Sequence, residues 1–189
     1  MSAIRIRRAR PEDTSLIVDT WVESFRNTYA AGVVPMPFYQ ADYRKYVTWI
    51  LAQRAPDVFV AYDAEAEVAG TELLGWLAVE ETVTFPAGRV LKTVGPVVHY
   101  VYVKEHVRGN GLARALFAAA RVDTKGPFIF TFKPTEHDRK PGARTWKDSF
   151  PRARWNPLIA RHPKTPTPTE QTTHANQDGS VQHPRGHSR

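Results

Sequence analysis

The residues best suited to chemistry are Arg108 to Ala113, a short segment with glycine at 109 and 111. Glycine adopts backbone conformations that other residues avoid, and its missing side chain lets a ligand approach backbone N–H groups closely. A helix that begins here adds unpaired N–H donors and the positive end of its dipole, and Arg108 adds a forked, charged donor. The segment predicts a site for an anion such as a diphosphate, with an ordinary tight turn as the alternative.

Two regular elements must position this segment. Val97–Val103 is made of β-branched and aromatic residues apart from His99, which favours a strand. Leu112–Ala120 is rich in strong helix formers. The predicted anion site therefore lies where a strand ends and a helix begins. Strand alternation places His99 on the same side as Val101 and Val103.

The spacing of these residues resembles that of a known family. A Val-x-Val strand end, Val101–Val103, is followed after four residues by Arg-x-x-Gly-x-Ala at Arg108–Ala113, which resembles motif A of the GNAT superfamily of N-acetyltransferases. Other phosphate motifs do not fit, because Gly-Lys-Ser/Thr is absent and Arg114 stands where a dinucleotide fingerprint needs its third glycine. The resemblance implies acetyl-CoA as co-substrate and no metal.

The resemblance also implies which residues bind the coenzyme. Its pantetheine arm pairs with the strand backbone at Val101, Tyr102 and Val103. Its pyrophosphate is held by the residues of the motif, namely Arg108, Gly109, Asn110, Gly111, Leu112 and Ala113.

The order of the predicted elements, β-α-α-β-β-β-α-β over residues 3–132, agrees with this resemblance. The implied fold class is α/β (α+β), a GNAT fold whose mixed, mostly antiparallel central sheet is flanked by helices and followed by a disordered C-terminal tail. The predicted elements are strands at Ile4–Arg7, Val58–Tyr62, Leu73–Val79, Val97–Val103 and Pro127–Phe132, helices starting near Pro11, Phe38 and Leu112, and a loop at Thr84–Gly95.

Three segments are expected along the chain. Residues 1–132 form the GNAT core, and residues 133–161, which several prolines interrupt, form a basic, tryptophan-containing extension that packs on it. Residues 162–189 are rich in Thr, Pro, His and Gln with almost no large apolar side chains, and are predicted to be disordered.

The positive charge is concentrated in the extension, which holds 8 Lys or Arg against 3 Asp or Glu in a chain of net charge +7. Trp146, Phe150 and Trp155 alternate with these cations, a pattern that suits nucleic acid because cations meet phosphates while aromatic faces stack on bases. The alternative is a solvated basic face with Trp146 and Trp155 buried as anchors. Some of the charge also suits the 3′-phosphate of CoA.

Direct acyl transfer to an amine needs a base for the ammonium proton, and the absence of cysteine removes the commonest covalent relay. His99 is the first candidate base, because imidazole titrates near neutrality and some members of the resembling family carry a strand histidine there. A buried structural histidine is the alternative. Glu80 and Glu81, at the end of the preceding strand, are alternative bases or acceptor-binding groups, or solvated strand-end charges.

The acid and the oxyanion donor are less defined. The tyrosine that often serves as the acid in the resembling family follows the last core strand, but here no tyrosine follows Tyr102. Tyr102 or Tyr100 is the substitute candidate, with water or an unassisted thiolate as alternatives. The resemblance implies the Val103 N–H as oxyanion donor.

The sequence predicts an acyl-CoA-dependent N-acyltransferase that passes an acetyl group directly to an amine of a small molecule or protein. A narrower resemblance, carried by Trp21–Arg26, His99–Lys104 and Trp155–Leu158, is to small GNAT-like proteins of bacteriophages. It adds two alternatives, a DNA-binding or DNA-modifying protein and a non-catalytic interaction protein of the same fold.

The compartment is predicted from what the chain contains. The charged N-terminus, Met1–Arg8, is not followed by an apolar stretch, and no apolar run approaches about 18 residues. Together with the absence of cysteine, this favours a cytoplasmic protein without a membrane partner.

Overall fold

The computed structural model describes residues 4–26, 34–65, 73–87, 90–132 and 146–161. The helices are α1 (Thr14–Arg26), α2 (Met36–Trp49), α3 (Leu112–Ala119) and α4 (Trp146–Ser149). The strands are β1 (Ile4–Arg8), β2 (Asp57–Asp63), β3 (Leu73–Glu80), β4 (Val83–Ala87), β5 (Val90–Val94), β6 (Val97–Val103), β7 (Ile129–Phe130) and β8 (Arg154–Trp155). Among these residues no helix is long and apolar enough to cross a bilayer.

Six strands form one mixed sheet in the order β1-β2-β3-β6-β7-β8. The first four pair antiparallel, and β7 and β8 extend the sheet in parallel. Helices α1 and α2 pack on one face and α3 on the other. The predicted fold class, a mixed and mostly antiparallel sheet flanked by helices, is confirmed.

Strand β3 is the centre of the core and is buried along its whole length. Its side chains alternate between the two layers, so that Trp76 packs with α1 and α2 whereas Leu77 packs with α3. The apolar stripe of α1, which includes Ile17 and Trp21, is buried against the first layer because its members recur at helical spacing. β6 is thus held between two packed layers through its pairing with β3.

One predicted loop is a hairpin instead. Thr84 to Gly95 was expected to be irregular because of its proline and glycines, but β4 and β5 pair antiparallel from Val83↔Val94 to Ala87↔Val90. The two strands form a sheet of their own, where proline is tolerated because an edge strand has one side without a ladder. The loop prediction was wrong because it gave more weight to Pro86 than to the alternating Val, Thr and Phe residues around it.

The last predicted core strand is also shorter than expected. A strand was predicted from Pro127 to Phe132, but β7 comprises only Ile129–Phe130. Its outer edge pairs with β8, at Ile129↔Arg154 and Phe130↔Trp155. The sheet therefore gains a sixth strand from the part of the chain in which prolines obscured any pattern.

Residues 146–161 lie against this end of the sheet. The Phe150 ring packs 5.3 Å from Phe117 and 5.6 Å from Phe128, measured between ring centroids. Trp155, in contrast, is 52% exposed, so the alternative in which Trp155 is a buried anchor is wrong. The side chain of Trp146, residues 133–145 and the predicted disordered tail lie outside the described residues.

Candidate functional site

Strand β6 is paired along both edges at its start and along one edge at its end. β7 pairs with it only at Val97↔Ile129 and Val98↔Phe130. The Thr131 N–H then donates to the Val98 carbonyl at 3.0 Å, and this is the last backbone hydrogen bond between the two strands in the described part of the chain. Within the described residues, the second half of β6 thus leaves β7 and keeps only β3 as its neighbour.

Two backbone N–H groups of β6 face the edge that β7 leaves open. The Lys104 N–H donates to the Leu74 carbonyl of β3 at 2.9 Å. Successive N–H groups of a strand point to opposite edges, so those of Val101 and Val103 point away from β3. An extended ligand lying along this edge can pair with them as another strand would.

The glycine turn follows β6 after one 3-10 turn, Glu105–Val107, and is also open. Gly109 and Gly111 have φ angles of 86° and 79°, in the left-handed region that favours glycine. A Cβ added at either position would meet no atom within 4 Å. Gly111 caps the N-terminus of α3, whose first N–H groups lack helical partners. The Arg108 Nε donates to the Val103 carbonyl at 3.0 Å and ties the turn to the end of β6.

A cleft of about 1000 Å³ joins the turn to the open end of β6. Its walls are the turn and α3 on one side and residues 148–151 on the other. Three cations line it, Arg108, Arg114 and Lys125, together with the apolar side chains of Val103 and Phe150. The arrangement suits a long ligand that carries several negative charges at one end and a less polar arm at the other.

His99 lies on the other side of β6 from the one expected. The register between β3 and β6 shifts between Ala78↔Tyr100 and Val79↔Val98, so His99 is the extra residue of a β-bulge. The bulge breaks the alternation: Val101 and Val103 pack on the α3 side, whereas His99 contacts Glu80 on the side of α2. The expectation that His99 shares a side with these valines was wrong.

The His99 ring is enclosed in a buried polar chain. Its Nε2 lies 2.7 Å from Glu80 Oε1, and its Nδ1 lies 3.4 Å from Thr131 Oγ1. Arg54 binds the same carboxylate through Nε at 2.8 Å and through its terminal nitrogen at 2.9 Å. The exposed fractions are 0% for Arg54, 6% for Glu80 and 1% for His99. This network of side chains is therefore buried and shielded from solvent.

The carboxylate at the middle of this chain is kept ionised. Burial alone would raise the pKa of Glu80, but the hydrogen bonds and charges of His99 and Arg54 outweigh it and hold that pKa below its ordinary value of 4.5. Glu80 is thus a negative charge that two neighbours satisfy, and its position is fixed by the bidentate arginine.

The other predicted site residues lie in three different places. Tyr102 is half-buried on β6, 6.3 Å from Trp76 between ring centroids, and burial raises its pKa against the opposing charge of Arg108. Tyr100 is buried, its hydroxyl lies 3.0 Å from Ser24 Oγ, and burial raises its pKa to about 12. Glu81 is exposed and follows β3 at the end where β6 begins, away from the glycine turn.

Sequence reasoning missed several residues of the site. Arg54 and Thr131 join His99 and Glu80 from distant parts of the chain, and residues 148–151 supply the far wall of the cleft. One signal was available for Arg54, because it continues the buried positions of Val47 and Ile50 at helical spacing. A charge on an apolar stripe indicates a buried partner.

Comparison with known proteins gives structural matches only. No family model and no curated protein matches the sequence. The solved structures that match include a histone acetyltransferase HPA2 and related acetyltransferase from Corynebacterium glutamicum, with 21% identity, 64% of this chain and 70% of that chain covered, and a TM-score of 0.46. A GNAT family acetyltransferase from Brucella melitensis, in complex with acetyl-CoA, has 19% identity, covers 64% and 68%, and gives a TM-score of 0.42.

A third match is a GNAT family N-acetyltransferase, YhbS, from Escherichia coli in complex with CoA, with 20% identity, 64% of this chain and 55% of that chain covered, and a TM-score of 0.38. These structure neighbours are acetyltransferases of the same superfamily that Arg108–Ala113 resembles. At these identities and TM-scores the likeness carries no argument about the substrate or activity of this chain.

The lowered pKa of Glu80 predicts how stability depends on pH. An acid whose pKa is lower in the folded state adds stability above its unfolded pKa and loses it as the pH falls through the folded pKa. Glu80→Gln should lower the free energy of unfolding by about 3 kcal/mol at pH 7, because it leaves Arg54 uncompensated. This difference from the wild type should shrink as the pH falls below the ordinary carboxyl pKa of 4.5 and through the lower pKa of the folded state.

Urea unfolding across this pH range measures the difference. Glu81→Gln is the matched control, because the neighbouring carboxylate is exposed and its loss should leave the profile unchanged. Asp13, whose pKa Arg7 also lowers against the effect of burial, contributes equally to both proteins and cancels in the comparison. A difference that stays constant with pH would contradict the assignment.

Proposed function

We propose that the protein is an acetyl-CoA-dependent N-acetyltransferase that transfers the acetyl group directly to an amine. The observation that carries this proposal is that one cleft adjoins two sets of backbone N–H donors, those of a strand edge and those of a helix N-terminus. The open backbone edge of β6, at Val101 and Val103, runs straight into the glycine turn at the N-terminus of α3.

Each part of the coenzyme has a matching part of the cleft. The diphosphate binds at Gly109–Ala113, where open backbone N–H groups and the helix dipole favour negative charge. The amide groups of the pantetheine arm pair with the Val101 and Val103 backbone. Arg114 and Lys125, on the walls of the same cleft, are available for the third phosphate of CoA.

The reaction needs no covalent enzyme intermediate. The neutral amine of the acceptor attacks the thioester carbonyl, a C–N bond forms, and the tetrahedral oxyanion collapses with loss of the CoA thiolate. The amine proton leaves to a base and the thiolate takes a proton from an acid or from water, so atoms and charge balance. The Val103 N–H is the proposed oxyanion donor.

Tyr102 is the proposed acid. It lies on β6 between the two valines that would hold the pantetheine arm, is half-buried, and burial raises its pKa so that it stays protonated at neutral pH. The base roles of His99 and Glu81 stay predictions. His99 has both ring nitrogens next to other side chains, and Glu81 lies at the far end of β6.

Coenzyme binding is tested by thermal unfolding. Acetyl-CoA should raise the Tm of the wild type, because a ligand that binds only the folded state stabilises it. Gly111→Trp should abolish the shift measured from the variant's own unliganded Tm, since its side chain projects into open space beside the turn; that unliganded Tm should itself fall, because φ of 79° favours glycine. Ala118→Trp, an exposed position of the same helix, is the control and should keep the shift. No shift in the wild type would overturn the proposal.

The acid role of Tyr102 is tested by release of CoA thiol in the presence of a panel of primary amines. Tyr102→Phe should reduce turnover by about a hundredfold while leaving acetyl-CoA affinity unchanged, because it removes a proton donor and keeps the ring. Tyr100→Phe is the control, since that hydroxyl is already paired with Ser24. Equal turnover of Tyr102→Phe and wild type would exclude the role.

Nucleic acid binding is a second candidate function, and the exposure of Trp155 favours it. An indole that is 52% exposed beside the exposed Arg152 and Arg154 offers a stacking face next to cations. This surface is separate from the residues that line the coenzyme cleft, so a nucleic acid could be either the acceptor or a partner.

A DNA titration at several salt concentrations tests this candidate. Affinity should fall steeply with salt, and Trp155→Ala should weaken binding by about 1–3 kcal/mol if bases stack on the ring. Arg152→Gln with Arg154→Gln should lower the salt dependence, whereas the same change at exposed Arg5 and Arg10 should not. Binding that is absent or independent of salt would dispose of nucleic acid as a partner.

A further inference from the structure

Two irregularities of the sheet occur at the adjacent residues Val98 and His99. The register between β3 and β6 shifts at His99, and the pairing between β6 and β7 ends at Val98. A bulge bends its strand and increases its local twist. The bulge at His99 therefore lies where the described pairing of β6 with β7 ends, and Val103, farther along β6, lines the cleft.

The carbonyl of the bulge residue is satisfied by a side chain instead of a strand. Thr131 follows β7, and its Oγ1 donates to the His99 carbonyl at 3.2 Å. The same hydroxyl lies 3.4 Å from His99 Nδ1. The hydroxyl therefore supplies a hydrogen-bond donor to the His99 carbonyl at the bulge.

The other nitrogen of the His99 ring, Nε2, contacts the Arg54–Glu80 ion pair. Glu80 accepts from Arg54 through both of its oxygens and contacts His99 Nε2. Arg54 ends the π-helical turn Ile50–Arg54 and is followed by Ala55 in the left-handed conformation, with φ 44°. The π-helical turn and the left-handed Ala55 thus occur at the residue whose guanidinium points inward to Glu80.

A buried network of charged and polar side chains contributes little net stability. Buried ion pairs give up the hydration of both charges, and apolar residues of similar volume often stabilise a core as well or better. Arg54, Glu80 and His99 are nevertheless at most 6% exposed, and they meet where the register between β3 and β6 shifts. Their location indicates a role in fixing the local geometry of β6.

We infer that Arg54, Glu80, His99 and Thr131 are positioning residues that hold the β-bulge of β6 and thereby keep the pantetheine slot at Val101–Val103 open. None of the four lines the cleft that holds the glycine turn. They act on the slot through the backbone of β6 near the bulge, whereas the glycine turn lies beyond the other end of the slot, where Arg108 bonds the Val103 carbonyl. This inference rests on the proposed binding of CoA.

The separation of slot and turn permits a sharp test with two probes. CoA uses both parts, whereas 3′-phosphoadenosine 5′-diphosphate carries the same phosphates and no pantetheine arm. Glu80→Gln and Thr131→Val should each weaken CoA binding by about tenfold, the order of one lost hydrogen bond to a ligand. Affinity for the nucleotide should stay within about twofold of the wild type.

Matched variants separate positioning from general loss of stability. Thr131→Ser restores the hydroxyl and should restore CoA affinity. Val47→Ala removes a fully buried side chain from the same layer, far from the bulge in sequence, and should bind both probes as the wild type does. Binding is measured calorimetrically well below the unfolding midpoint of each variant. If Glu80→Gln does not fold, the comparison of Thr131→Val with Thr131→Ser decides.

The outcomes distinguish this inference from the proposal on which it rests. Folded variants that bind CoA as tightly as the wild type, or that lose both probes to the same extent, would overturn the positioning role and leave the proposed function intact. A wild type that binds neither probe would overturn the proposed function and this inference with it. Selective loss of CoA binding supports both.

Discussion

A ligand can use the backbone donors of a strand only if the sheet leaves them unpaired, and this constraint explains how β6 is paired. β3 meets it by holding β6 along its entire length, so that β6 can lose β7 without losing its place. The apolar layers on both faces of β3 supply the burial that a half-paired strand does not provide for itself. The open edge of β6 follows from this asymmetric pairing.

The two faces of the sheet divide the work. On the α1 and α2 side, Trp21, Trp76 and Tyr100 stack within 5.1–5.5 Å of one another between ring centroids and form a rigid aromatic layer. On the α3 side, the cleft lies next to the N-terminus of the helix, and Val103, Phe117 and Phe150 are among the residues that line it. The aromatic layer thus lies behind β6 and the cleft in front of it.

Local features were predictable from the sequence because short-range patterns determine them. β6 was predicted with its bounds at Val97 and Val103, α3 with its start at Leu112, and the glycine turn between them, since propensity and glycine chemistry act over a few residues. The buried network around His99 was not predictable as a whole, because Arg54 lies 26 residues before its partner Glu80 and Thr131 lies 32 residues after His99. The bulge itself reverses the alternation from which the side of a strand residue is inferred.

The far wall of the cleft has a consequence for when the site comes into existence. Residues 148–151 line it, and they are held there by β8, which joins the sheet at Arg154 and Trp155. During synthesis the sheet from β1 to β7 emerges first, so a nascent chain has its turn and its half-paired strand before it has an enclosed groove. The cleft is therefore complete only after β8 has joined the sheet.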